Sequence, residues 1–286
     1  MDNEKSNLYD WMMNLDRRWV YLVIGVVVVV TAIVPFRVPM YITPEVRSIY
    51  DYIESLEPGD VLMIGVDYAP EAMAELHPMN YAITRQCFTK GIKLLLCCLH
   101  QNGPGMVEQV IAQVSKEYDK VNGVDYVYLG YKPYPAITIL AMGQNFRIPF
   151  PEDYYGTPLD SLPMMRNIVN FDNVKAIINI SAGSATEYWI NYANGRYNAK
   201  LAIGVTGVMT SDYYPFLQSG QIFGIIGGMK GAAEYEDLAE KGGYISSEKD
   251  QLTAFKSMPI QTTTHIVVIL FIVLGNVGYF MSKKKK

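Results

Sequence analysis

Val61-Leu-Met-Ile-Gly-Val66 and Ile92-Lys-Leu-Leu-Leu-Cys-Cys-Leu99 decide the fold. Each is a short apolar run fenced by turn residues, Pro58-Gly59-Asp60 before the first and Gln101 to Gly105 after the second. A strand with one wet face alternates apolar and polar residues, whereas a continuously apolar strand is buried on both faces. Working outward, four further runs read the same way: Asp125–Leu129, Lys175–Ile180, Lys200–Val205 and Ile222–Ile226. Helical patterns separate them. Val46, Ile49, Tyr50 and Ile53 form one face over Glu45–Glu57, and Met106, Val107, Val110, Ile111 and Val114 form another. Ala72–Lys90, Ala185–Tyr192 and Met229–Lys241 are also expected to be helical, with Pro78 kinking or delaying the first of these. The proline-rich stretch 132–172 reads as an irregular excursion with short helices. Alternating strands and helices predict a doubly wound, mostly parallel, Rossmann-like α/β sheet domain.

Composition agrees. With 286 residues, 50% hydrophobic and 18% charged, the chain is no disordered polymer. Twenty-three glycines without a period of three exclude a collagen-like repeat. Three cysteines cannot make a disulfide framework. Adjacent Cys97 and Cys98 would point to opposite faces of their strand. His77, His100 and His265 do not cluster with cysteines or carboxylates at metal-ligand spacing. No metal or other cofactor is therefore expected.

Two uncharged stretches flank the domain. Residues 19–36 (WVYLVIGVVVVVTAIVPF) and 262–281 (TTTHIVVILFIVLGNVGYFM) approach the length of a membrane-spanning helix. Trp19, Tyr21 and Tyr279 sit where aromatic rings favour the interface. Arg17 and Arg18 precede the first stretch, and Lys283 to Lys286 follow the second, which predicts cytoplasmic termini. The expected order is a cytoplasmic amphipathic segment (1–18), a transmembrane helix (19–36), an extracytoplasmic α/β domain (37–261), a second transmembrane helix (262–281) and a basic tail (282–286), in an integral plasma-membrane protein. Leu8, Trp11, Met12, Leu15 and Trp19 fall on one helical stripe before the first span. Residues 37–261 carry 17 basic and 24 acidic side chains, a formal charge of −7, which argues against nucleic acid as a partner. The expected partners are the bilayer and a membrane protein or second copy.

In open α/β sheets ligands sit beyond the carboxyl ends of the strands. Those ends carry Asp67; His100 and Asn102; Lys132; Ser181 and Ser184; Thr206; and Lys230 in successive loops. These eight are the candidate ligand-binding residues, though loops are also polar and glycine-rich simply because they turn. Ser184 and Glu187 fit a helix-capping box better than a G-x-S-x-G nucleophile turn. Gly227-Gly-Met-Lys-Gly231 lacks the G-K-[ST] ending of a phosphate loop. Its glycines suit close packing, and Lys230 can pair either with an anion or with Glu234 one turn on. Tyrosines at 126, 128, 131, 134, 154, 155, 213 and 214 suit either an interface or amphipathic filling.

The segments Leu201–Glu236, Glu57-Pro-Gly-Asp-Val61, Asp125–Lys132 and Tyr155-Gly-Thr-Pro-Leu159 resemble a family of prokaryotic membrane-anchored α/β proteins with one transmembrane helix at each end. That resemblance spans most of residues 50–240. It implies the architecture and supplies no activity and no catalytic residues. Tyr214–Ile222 is similar to a strand–turn–helix stretch of periplasmic binding proteins, over about 40 residues, which fold alone can produce.

The expected function is a membrane-anchored, non-enzymatic binding or assembly module. The alternative is a membrane-tethered hydrolase or transferase drawing on Asp67, His100, Ser184 and Lys230 at the carboxyl edge of the sheet.

Overall fold

The computed structural model describes residues 15–34, 36, 39–246 and 251–283. The amphipathic stripe from Leu8 to Met12 and the lysines at 284–286 lie outside the described residues. The chain divides into two units, residues 40–255 and a unit made of residues 1–39 with 256–286.

The larger unit is built on six strands: β1 (Val61–Asp67), β2 (Lys93–Cys98), β3 (Tyr126–Tyr131), β4 (Ala176–Ser181), β5 (Leu201–Val205) and β6 (Ile225–Gly227). All pair in parallel in the order β3-β2-β1-β4-β5-β6. Every apolar run thus becomes a parallel strand, and the doubly wound reading holds. Two helical layers explain why no strand alternates. One layer holds α2 (Pro44–Glu54), α3 (Met73–Lys90), α4 (Gly103–Glu117) and, after β6, α8 (Gly228–Lys241). The other holds α5 (Pro135–Gln144), α6 (Ala185–Tyr188) with a π-helical continuation (Trp189–Asn194), and α7 (Thr210–Gln218). Met63, Leu95, Cys97, Val127, Ile177 and Ile203 face this second layer, meeting Ile139, Met142 and Trp189. Cys98 points the other way, its Sγ 3.4 Å from the Tyr128 hydroxyl.

Three helices depart from the sequence reading. Pro78 lies inside α3 without delaying it, because it sits in the second turn and deprives only one carbonyl of a donor. Within the excursion, α5 is a full ten residues, entered through Tyr134 in the left-handed region (φ 59°) with Pro135 at its first position. α7 carries Pro215 in its interior and so gives no clean periodic signal.

In the smaller unit, α1 (Arg17–Ile33) is 17 residues long, capped by the Asp16 carboxylate on the Arg18 amide at 2.9 Å. It ends at Ile33, short of the expected boundary at Phe36, where Pro35 removes a backbone donor. α9 (Thr253–Lys283) starts nine residues earlier than the predicted span and runs through Pro259; its first three residues belong to the larger unit. Its stretch Thr253–Met281 is the one helix among the described residues long and apolar enough to cross a membrane. The expectation of two such helices is corrected to one, because α1 is too short. Both helices expose their apolar side chains, among them Leu22, Val26, Val29, Ile269, Leu270 and Val273. The hydroxyls of Thr31 and Thr263 lie 3.2 Å apart.

Candidate functional site

Strand order reverses between β1 and β4, so the crevice expected to bind ligands opens beside Asp67 and its register partner Ser181. Here the crevice is closed by the chain itself. The Asp67 carboxylate accepts the Leu99 amide at 2.6 Å on one oxygen, and Asn179 Nδ2 at 2.7 Å and Trp189 Nε1 at 2.9 Å on the other. Asn179 donates also to the Gly65 carbonyl at 3.3 Å and accepts the Thr186 hydroxyl at 2.9 Å. Asp67, Asn179, Thr186 and Trp189 are all buried. Gly65 makes room for the indole: a Cβ there would stand 3.0 Å from its ring. Burial pushes the Asp67 carboxyl above its ordinary range. The Leu99 amide, Trp189, Asn179 and the nearby His100 pull it back. Asp67 is thereby a brace joining β1, β2, β4 and the π-helical segment.

The other loop residues are spread along the edge. His100 is half-buried, its Nδ1 accepting the Asn102 amide at 3.3 Å, and Asn102 is exposed at the start of α4. Lys132 Nζ lies 5.8 Å from the centre of the Phe150 ring. Ser181 Oγ bonds within its own turn, to the backbone of Gly183. Ser184 is exposed at the N-cap position of α6, but its side chain makes no capping bond. The capping box is therefore absent: Ser184 has helical backbone angles (φ −66°, ψ −5°), which differ from the extended conformation usual at an N-cap. No hydrogen bond joins any two of Asp67, His100, Ser184 and Lys230 among the described residues.

A cavity of about 230 Å³ opens instead at the β5–β6 end of the same edge. Thr43, Glu45, Thr210, Tyr214, Lys230 and Glu234 line it, with Gly207, Gly227 and Gly231 as its backbone walls. Thr206, half-buried behind it, accepts the Thr210 hydroxyl on its carbonyl at 3.1 Å. Lys230 pairs with Glu234 one turn on, as the spacing allowed. Glu234 is fully buried and also accepts the Thr43 amide at 2.8 Å and the Thr43 hydroxyl at 2.7 Å. The Gly207 amide donates to the Glu75 carboxylate at 2.7 Å. The glycines serve close approach: a Cβ on Gly227 would lie 2.6 Å from Thr210.

The sequence reading missed Thr43, Glu45, Glu75, Asn179 and Trp189, which reach these places from distant segments. It also missed a buried polar group beside β1. The Tyr68 hydroxyl lies 2.7 Å from His77 Nδ1, and burial drives the His77 imidazole down to about 4, so it is neutral at physiological pH. No group of three or more His, Cys, Asp or Glu is arranged to hold a metal ion among the described residues. All three cysteines are buried free thiols, their acidity suppressed by burial.

The fold defines the class: a three-layer α/β protein with a six-stranded parallel Rossmann-like sheet. No protein-family model matches the chain, and no curated protein matches it. Among solved structures, the N-terminal domain of the Candida albicans trehalose-6-phosphate phosphatase aligns over 80% of this chain, with 8% identity and a TM-score of 0.33. The chain spans 44% of the length of that structure.

Proposed function

We propose that the chain is a membrane-anchored, non-catalytic binding module whose small polar ligand occupies the β5–β6 cavity. One observation carries this reading. The cavity lies at the carboxyl edge and is walled partly by Thr43, Glu45 and Val46, the residues that lead from the N-terminal helix into the domain. Ligand contact there touches Lys230, hence Glu234, hence Thr43. In this reading α9 lies in the bilayer of the plasma membrane and anchors the chain. The carboxyl-terminal lysines are cytoplasmic and the acidic domain is outside, as the basic flank suggests. A membrane-protein partner or a second copy would meet the exposed side chains Tyr134, Ile137 and Val208.

Glu45 makes no ion pair among the described residues, so the cavity offers an acidic group at one side and the Lys230 ammonium at another. That charge pattern suits a small zwitterion. Thermal melts of the full chain in mild detergent, with free amino acids as probes at millimolar concentration, test the binding. At least one should raise the Tm of the wild type and leave Lys230→Glu unmoved. No shift with any of them, or equal shifts in both proteins, removes the cavity as the site. Resistance of the chain to carbonate extraction tests the anchoring separately.

A further inference from the structure

α9 carries a carboxamide, Asn276, inside its apolar stretch 262–281, among Val273, Leu274, Val277 and Phe280. When α9 spans a bilayer, this residue lies about four to five positions past the middle of that stretch. At about 1.5 Å per residue it sits roughly 7 Å from the bilayer centre, inside a hydrocarbon core that reaches about 15 Å to each side. The side chain is exposed on the helix surface. Its Nδ2 donates to the Ile272 carbonyl of the same helix at 2.8 Å, and it makes no other hydrogen bond among the described residues. One N–H and the Oδ1 acceptor are thus left facing lipid. Unpaired polar groups cost free energy there, because no water reaches them.

The surroundings of Asn276 have the form of a helix-pairing seam. Ile269, Ile272, Asn276 and Tyr279 recur by threes and fours, and all four are exposed. Gly275 stands beside the amide, and a Cβ there would meet nothing within 4 Å. Small residues of this kind let two backbones approach. α1 meets α9 on another side. The Thr31 hydroxyl lies against Thr263, which is thirteen residues before Asn276 and so roughly 140° around the helix.

We propose that α9 of one chain pairs with α9 of a second copy, parallel and in register, through reciprocal hydrogen bonds between their Asn276 side chains. A carboxamide is donor and acceptor at once, so it is its own complement. Two copies inserted with the same topology place Asn276 at the same depth with no further matching. A two-fold axis along the helices then makes both bonds equivalent. A different partner needs a polar side chain at that depth, turned to that stripe. A single asparagine in an apolar seam also fixes register, since sliding by a turn leaves both amides unpaired. The inference rests on α9 as the membrane anchor and is independent of the cavity and its ligand.

Energy transfer between donor- and acceptor-labelled full chains in phosphatidylcholine vesicles, followed across protein-to-lipid ratios, tests it. Transfer in the wild type should rise linearly with the acceptor fraction, as a dimer requires. Asn276→Leu makes the stretch more apolar and so keeps α9 in the membrane. It should raise the dissociation constant of the dimer roughly tenfold. Val277→Leu, about 100° off the seam, should leave it unchanged. A wild type that is monomeric at every ratio, a dimer untouched by Asn276→Leu, or an equal weakening by Val277→Leu overturns the proposal. Release of the chain from the vesicles by carbonate removes the anchor and the pairing together, whereas a chain that stays embedded but single removes the pairing alone.

Discussion

At the β1–β4 switch point Asp67, Asn179, Thr186 and Trp189 are buried and bonded to one another, whereas at the β5–β6 end the same sheet edge opens into a cavity. Both regions have strand ends, glycines and a buried carboxylate. They differ in what reaches the carboxylate. Asp67 is met by an amide, a side-chain amide and an indole, all neutral donors fixed by β-strands and a packed tryptophan. Glu234 is met by a lysine that is 56% exposed and by the N-cap residue of α2. Strand topology marks where a site can lie, and the side chains then decide whether it is filled from within. Neutral donors in a rigid frame close a crevice, while a half-exposed ion pair leaves one open.

Three substitutions would break or sharpen that contrast. The largest effect is expected from Asp67→Ala, which leaves the Leu99 amide and the Trp189 indole as buried donors without an acceptor and Asn179 with only the Gly65 carbonyl at 3.3 Å. Each orphaned group costs on the order of 1–3 kcal/mol, so a total loss of roughly 3–5 kcal/mol is expected in chemical denaturation. A loss below about 1 kcal/mol would mean the switch point is not a brace. Lys230→Ala takes the counter-ion from the fully buried Glu234 and leaves its charge to Thr43, so a loss on the order of 1–3 kcal/mol is expected. It should weaken whatever amino acid shifts the wild-type melt. Retained binding would move the site away from the cavity. Smallest is Ser184→Ala: its exposed hydroxyl makes no capping bond, so denaturation midpoints should shift by no more than about 0.5 kcal/mol equivalent. A full capping loss of about 1 kcal/mol would restore the capping box.

The strands were legible because burial on both faces demands apolar residues at every position, and each of the six runs does become a strand, ending within three residues of its expected boundaries. The short β6 is the loosest, its apolar run beginning at Ile222 but pairing only over Ile225–Gly227. Helices were legible where one face alone is apolar, as in α2 and α4. α3, expected over Ala72–Lys90, forms over Met73–Lys90 although it buries Asn80, Thr84, Arg85 and Gln86 along with its apolar residues, whereas α7, whose pattern Pro215 interrupts, was not legible. Of the eight candidate residues, Lys230 lines the cavity with Thr206 behind it, Asp67 serves as a brace, and Ser181 bonds locally. Lys230–Glu234 could be anticipated because four residues make one helical turn.

Hydrophobic periodicity is a local property, so the amino-acid order alone sets the six parallel strands, the layered architecture and the apolar helix at the carboxyl-terminal end. Carboxylate partners are not local. Trp189 comes to Asp67 across 122 positions, and Thr43 comes to Glu234 across 191. Only the folded arrangement chose which acids became braces and which became a cavity wall, because the cost of burying a charge is met by whatever donors the packing brings alongside.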